Sequence, residues 1–99
     1  MNERRVRFTE TADRHVKDAH AWWLSNRDDQ ELFASELEDA LLLLALLPGV
    51  GTPYDQTPVL RLRRFYLPKL TYHLYYTFDD DEIVVRALWG ARREHGPQF

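Results

Sequence analysis

The sequence predicts an α+β fold in the order β-α-α-β-β-β, with a helical hairpin packed on one face of a small antiparallel sheet. Three patterns predict it. Apolar and polar residues alternate at the start of the chain (RVRF, 5–8) and again in three runs after residue 58. Between these lie two stretches whose apolar residues recur at helical spacing, and clusters of Gly, Pro, Asn and Asp punctuate the joins. The hairpin needs a sheet face to bury its apolar stripe, because a single layer forms no core.

In the first strand Val6 and Phe8 share one side and Arg5 and Arg7 the other. Thr9 follows as a helix N-cap, with Glu10 placed against the positive end of the helix dipole. The first helix carries Ala12, Val16, Ala19 and Trp23 on one stripe and ends at Ser25-Asn26. For the second, Asp28 with Glu31 three residues on reads as a capping box, the stripe is Phe33, Leu37, Ala40, Leu41, Leu44 and Leu47, and Pro48-Gly49 is the stop. A short break makes the two helices an antiparallel pair. Leu41 to Leu44 with Leu46 and Leu47 make the end of the second helix apolar on nearly every side. One face packs on the sheet; the other is covered by the neighbouring helix and loop or, alternatively, by a partner chain.

Residues 49–58 (GVGTPYDQTP) read as a loop. The three runs that follow form a meander joined at Leu67-Pro68-Lys69 and Asp79-Asp80-Asp81. Strict alternation sets Leu60 and Leu62 opposite Arg61 and Arg63. It sets Leu70, Tyr72, Leu74, Tyr76 and Phe78 opposite Thr71, His73, Tyr75 and Thr77, and turns Ile83, Val85, Ala87 and Trp89 inward, with Val84, Arg86 and Leu88 outward. Trp22, Trp23 and Trp89 are assigned to the core or its rim.

The chain has 99 residues, so a single domain spanning 1–99 is expected, able to bury roughly two-thirds of its unfolded surface. No apolar run reaches the ~20 residues of a membrane span, and MNERRVRF lacks the apolar core of a secretory signal; the expected location is the cytoplasm, with no membrane partner. Zero cysteines exclude thiolate nucleophiles and cysteine zinc sites. The net charge of −3 divides into −5 for residues 1–58 (6 Lys+Arg, 11 Asp+Glu) and +2 for 59–99 (7 and 5). That balance excludes a general nucleic-acid binder and leaves room for a local basic surface.

That surface is expected on the sheet face turned away from the helices. Parity gathers Arg61, Arg63, His73, Tyr75 and Arg86 there, and the chain leaving the last strand adds Arg92, Arg93 and His95. Guanidinium groups fork onto phosphate or carboxylate oxygens and aromatics stack on bases, so the face suits RNA or an acidic peptide. The plain alternative is a solvated strand face whose charges deter edge pairing. Other chemistry has no footing. There is no phosphate-binding glycine loop or metal spacing, His15 and His20 lie five apart, and neither a credible nucleophilic serine nor a carboxylate-lined pocket is evident. No cofactor and no metal are expected.

The run RLRRFYLPKLTYHLYYTFDDDEIVVRALWGARRE, following a helix that ends in LLPGVG, resembles the RelE/ParE superfamily of type II toxin-antitoxin toxins. The similarity lies in the order and spacing of the Arg-rich approach to Leu67-Pro68, the Tyr72-x-Leu74-x-Tyr76 strand, the acidic turn and the Val85 to Arg93 exit. It implies a growth-inhibiting toxin held inactive by a cognate antitoxin in a toxin-antitoxin hetero-oligomer. RelE-like members cut messenger RNA in the ribosome; ParE-like members poison DNA gyrase without a catalytic site. His73 stands where the nucleases carry a strand arginine, and no tyrosine follows Arg92 and Arg93, which favours the ParE-like branch. On that branch the resemblance implies target or antitoxin contacts at Arg61, Arg63, Tyr75, Arg86, Arg92 and Arg93. His95 with Phe99 matches the His-x-x-x-Phe ending of some nucleases, so metal-independent RNA cleavage by His73, His95 and Arg86 stays open. So does an inactive toxin fold that only binds antitoxin.

Overall fold

The computed structural model describes residues 3–55 and 57–99. Met1, Asn2 and Gln56 lie outside the described residues, the last of them within the 49–58 loop. The elements are β1 (Arg5–Phe8), α1 (Glu10–Asn26), α2 (Leu32–Leu46), a 3-10 turn (Pro48–Val50), β2 (Thr52–Pro53), β3 (Arg63–Leu67), β4 (Tyr72–Phe78) and β5 (Glu82–Gly90). Two helices therefore pack on one sheet of five strands in the spatial order β1-β5-β4-β3-β2. The sheet is mixed: β1 runs parallel to β5, and the other neighbours are antiparallel. β2 is the addition to the predicted order. It is two residues long and sits at the sheet edge, where Pro53 leaves no ladder bond unmade.

Local chemistry sets the element ends. The Thr9 hydroxyl accepts the Ala12 N–H at 3.1 Å, capping α1 as expected. For α2 the expected capping box moves by one residue: the Asp29 carboxylate, not that of Asp28, accepts the N–H groups of Glu31 (3.2 Å) and Leu32 (3.1 Å). The Trp23 indole N–H donates to Asp29 O at 2.9 Å, tying the end of α1 to the start of α2. At the other end of α2, buried Tyr76 donates its hydroxyl proton to Pro48 O (2.6 Å) and accepts the Gly51 N–H (3.0 Å). A Cβ at Gly51 strikes that hydroxyl and comes within 2.9 Å of Arg64 O, which is why the turn needs glycine there.

The main core lies between the helices and the sheet and includes Ala12, Trp23, Phe33, Leu44, Leu74, Tyr76, Ile83, Val85 and Leu88. Leu88 is there because β5 breaks alternation. Tyr75 pairs with Ala87 while Tyr76 pairs with Val85, so Arg86 is an extra, bulged residue and the parity beyond it reverses. Ala87 and Trp89, expected inward, therefore join the far-face cluster, Trp89 at the sheet edge where its ring also meets His15 of α1, and Leu88, expected outward, is buried in the core. On the far face Leu62, Tyr75 and Ala87 form a second small core with Tyr54, Val59 and Trp89 packed around it. Part of the face expected to be open is thus covered by Tyr54, Val59 and Leu62 and by the chain after β5.

Candidate interaction site at the strand exit

The single cationic face expected from parity is not what the chain builds. Arg63 pairs with Tyr76 and so lies on the helix side, where its Nη1 donates to Gly51 O (2.6 Å) and Gly49 O (3.3 Å). The residue that takes the far face is Arg64, opposite Tyr75, with its guanidinium 5.1 Å from the Tyr54 ring centre. Residues 62 to 67 alternate regularly, but the pairing register puts Leu62 and Arg64 on the far face, and Leu60 and Arg61, read as strand, instead form a turn in which Arg61 has a φ of 60°. Arg61 is exposed and lines a shallow hollow with Arg63, Asp55, Asp79 and Asp80, without an ion pair to either arginine among the described residues. Arg86 does face away from the helices, its Nε donating to Thr77 Oγ1 at 3.0 Å.

Tyr75 has the expected parity but is buried rather than presented. Tyr54 (5.1 Å) and Phe99 (5.6 Å) close over its ring. His73 lies beside it on β4, half-buried against Tyr66 at 5.1 Å, and burial together with the nearby Arg64 charge holds its pKa below the ordinary imidazole value. His95 is exposed, and its carbonyl accepts the Trp89 indole N–H at 2.6 Å, which pins the chain after β5 onto this face. His73, His95, Arg64 and Arg93 share a hollow of about 490 Å³ with Asp55 and Glu94.

The arginines that do converge are Arg92 and Arg93, and a residue the sequence did not single out joins them. Together with Arg27 they rim a cleft of about 590 Å³ between α1 and the exit of β5. Its apolar lining comes from Ala19, Trp23, Leu70, Tyr72 and Leu88. The Arg93 guanidinium lies 4.1 Å from the Trp89 ring centre, and that of Arg27 lies 4.9 Å from Trp22 and 5.7 Å from Trp23. Arg27 and Arg93 are thus each held over an indole, which positions the cation without neutralising it. Among the described residues none of Arg27, Arg92 and Arg93 forms an ion pair.

Two contacts fix this exit. The Ala91 N–H donates to Thr71 O at 2.8 Å, and Thr71 itself has a φ of 58°, an uncommon conformation for a β-branched residue. The Leu88 N–H, beyond the end of β1 and so without a strand partner, donates to His15 Nδ1 at 3.3 Å. Burial, then the charges of Arg14 and Arg93, hold the His15 pKa below its ordinary value, which suits a nitrogen that must accept. The signals for Arg27 and Trp22 were present in the sequence, at the predicted end of the first helix, but only the fold brings that end to the strand exit.

The described residues thus form a two-helix layer on a five-stranded mixed sheet, with arginines gathered where β5 leaves it. Residues 6–95 match the family model described as the ParE toxin of type II toxin-antitoxin system, parDE, and the chain belongs to that family. None of the curated proteins matches it. Among solved structures it is similar to a chain of the chromosomal ParDE TA system from P. aeruginosa, with a TM-score of 0.68 at 11% identity over 91% of this chain and 98% of that one. That likeness is one of fold. No described helix is long and apolar enough to cross a membrane.

Proposed function

We propose that this chain is a growth-inhibiting toxin that acts on DNA gyrase through the arginine-rimmed cleft at the exit of β5, and that a cognate antitoxin neutralises it by laying an acidic segment over the same cations. The observation that carries the reading is the convergence of Arg27, Arg92 and Arg93, none in an ion pair among the described residues, around an apolar floor. Such a surface recognises an acidic protein segment by forked contacts to carboxylates and buries an apolar anchor between them. The family match supports the toxin class and, with it, the antitoxin partner.

Gyrase is favoured over ribosomal message because Arg86, the cation expected to serve a nuclease, stands apart from the two histidines. Arg86 is bonded beside Thr77, four residues along β4 from His73, about 13 Å of strand. Tyr75, capped by Phe99, stands between them. A phosphorane needs its base and its cation within hydrogen-bond reach. The nuclease reading keeps two points in its favour: His73 and His95 share a hollow with Arg64 and Arg93, and burial with the Arg64 charge lowers the His73 pKa, which favours the form a general base needs.

Inducing the chain alone, with parallel readouts of gyrase-dependent DNA breaks and of message cut in codon register, separates the readings. Growth arrest with DNA breaks, relieved by the co-expressed antitoxin, is the expected result. Cut message that depends on His73 and His95, with intact DNA, overturns it in favour of the nuclease. A harmless product overturns it in favour of an antitoxin-binding module.

A further inference from the structure

The end of α2 presents a second surface, and its charges differ from those of the cleft. Leu42 and Leu47 are 56% and 51% exposed, and Leu43, Leu46 and Val50 are a third to a half exposed. Leu42, Leu43 and Leu46 stand at i+3, i+4 and i+7 from Asp39 and so share one face of α2, and Leu47 and Val50 follow just beyond its end. Neither the other helix nor the 3-10 turn covers that stripe. Its two ends carry opposite charge. At the start stand exposed Glu38 and Asp39; at the finish stands Arg63, anchored on the Gly49 and Gly51 carbonyls beside Val50. Among the described residues none of these three charges forms an ion pair.

We propose that this stripe is a self-complementary interface that pairs α2 with α2 of a second copy of the chain in antiparallel orientation. A two-fold axis passing between Leu44 and Ala45 sets Leu42 against Leu47 of the second copy and Leu43 against its Leu46. The same axis brings Asp39 against the turn at Val50, where Arg63 of the second copy is held. An isologous pairing thus buries the leucines and matches the acidic end to the basic end twice over. A partner carrying one sign of charge satisfies only half of this surface. The acidic segment that suits the arginine cleft meets Glu38 and Asp39 here and is repelled. The pairing leaves that cleft, on the far side of α1, free for the target.

Sedimentation or light scattering of the full chain, made by cell-free synthesis in the absence of antitoxin, tests the pairing. The expected mass is twice the 11.8 kDa of one chain. Leu46→Glu, at an exposed position, yields a monomer that keeps the parent's circular dichroism and a cooperative unfolding transition, lowered only by the loss of association. Asp39→Arg weakens dimerisation about tenfold or more by facing like charges, and adding Arg63→Glu to it restores the dimer. Should Arg63→Glu loosen the turn at Gly49 and Gly51, Asp39→Arg alone reads the same contact. A monomeric parent chain in the micromolar range overturns the proposal, as does a dimer indifferent to Leu46→Glu and Asp39→Arg. It is overturned equally if hydrogen exchange shows the stripe protected only when antitoxin is added.

Discussion

His15 occupies a position that only a neutral imidazole fills, since its Nδ1 accepts the Leu88 N–H at 3.3 Å while its ring leans on Trp89 at 5.3 Å. A proton on that nitrogen removes the acceptor and adds a cation beside Arg14 and Arg93, both of which already oppose the charge. His73 is depressed in the same direction, by burial and by Arg64. The unfolded chain binds both protons near the ordinary value of about 6.5, above the folded values, so it holds more protons through that interval and stability rises with pH. The stabilisation is complete above about pH 6.5 and is lost as pH falls through the lower folded values. Thermal unfolding is therefore expected at a lower temperature at about pH 5 than at about pH 7. His15→Gln, which keeps an acceptor that does not titrate, flattens part of the difference; an unchanged slope contradicts the assignment. Asp79 shifts in the same direction for another reason. Read from the sequence as part of the turn before the last strand, it does build that turn: its carboxylate accepts the N–H groups of Asp81 (2.8 Å) and Glu82 (2.9 Å), which lowers its pKa.

At the scale of elements, what the sequence made legible was what local chemistry determines. The Thr9 cap, the hairpin of two helices, the stop at Pro48-Gly49 and the tyrosine strand with Leu74 and Tyr76 inward all appear in the structure. What stayed hidden were the register of β3 and an inserted residue in β5, because a strand period of two neither says which of its faces meets the helices nor records an insertion. Pairing of Arg63 with Tyr76 put Arg64 rather than Arg63 on the far face, and the bulge at Arg86 exchanged Leu88 for Ala87 and Trp89. The bulge is what delivers Trp89 to the face where Arg93 stacks on it, so this irregularity shapes the cationic exit. A stability measurement tells the bulged strand from a regular one. Leu88→Ala is expected to cost about 2–5 kcal/mol, the range for truncating a core leucine, whereas regular alternation places Leu88 in solvent and predicts a change within about 0.5 kcal/mol.

For the molecule as a whole, the sequence located the excess positive charge in the right segment but distributed it wrongly. It anticipated one face carrying Arg61, Arg63, Arg86, Arg92 and Arg93. The structure divides them, with Arg61 and Arg63 at the end of the sheet near the acidic turn, Arg86 beside Thr77, and Arg92 and Arg93 at the opposite end with Arg27. Strand parity assigns a face; it does not say which end of the sheet a residue occupies or which helix end arrives there. The result is a chain with two differently charged surfaces, an arginine cleft at one side and a leucine stripe with both signs at the other, suited to different partners. The central claim is that the cleft is the working surface, and inhibition of purified DNA gyrase supercoiling tests it most directly. The parent chain is expected to inhibit, and Arg92→Ala with Arg93→Ala to lose at least about tenfold in potency, the loss of two charge-assisted contacts, with thermal unfolding unchanged. A double variant that folds and inhibits gyrase as well as the parent chain contradicts the account.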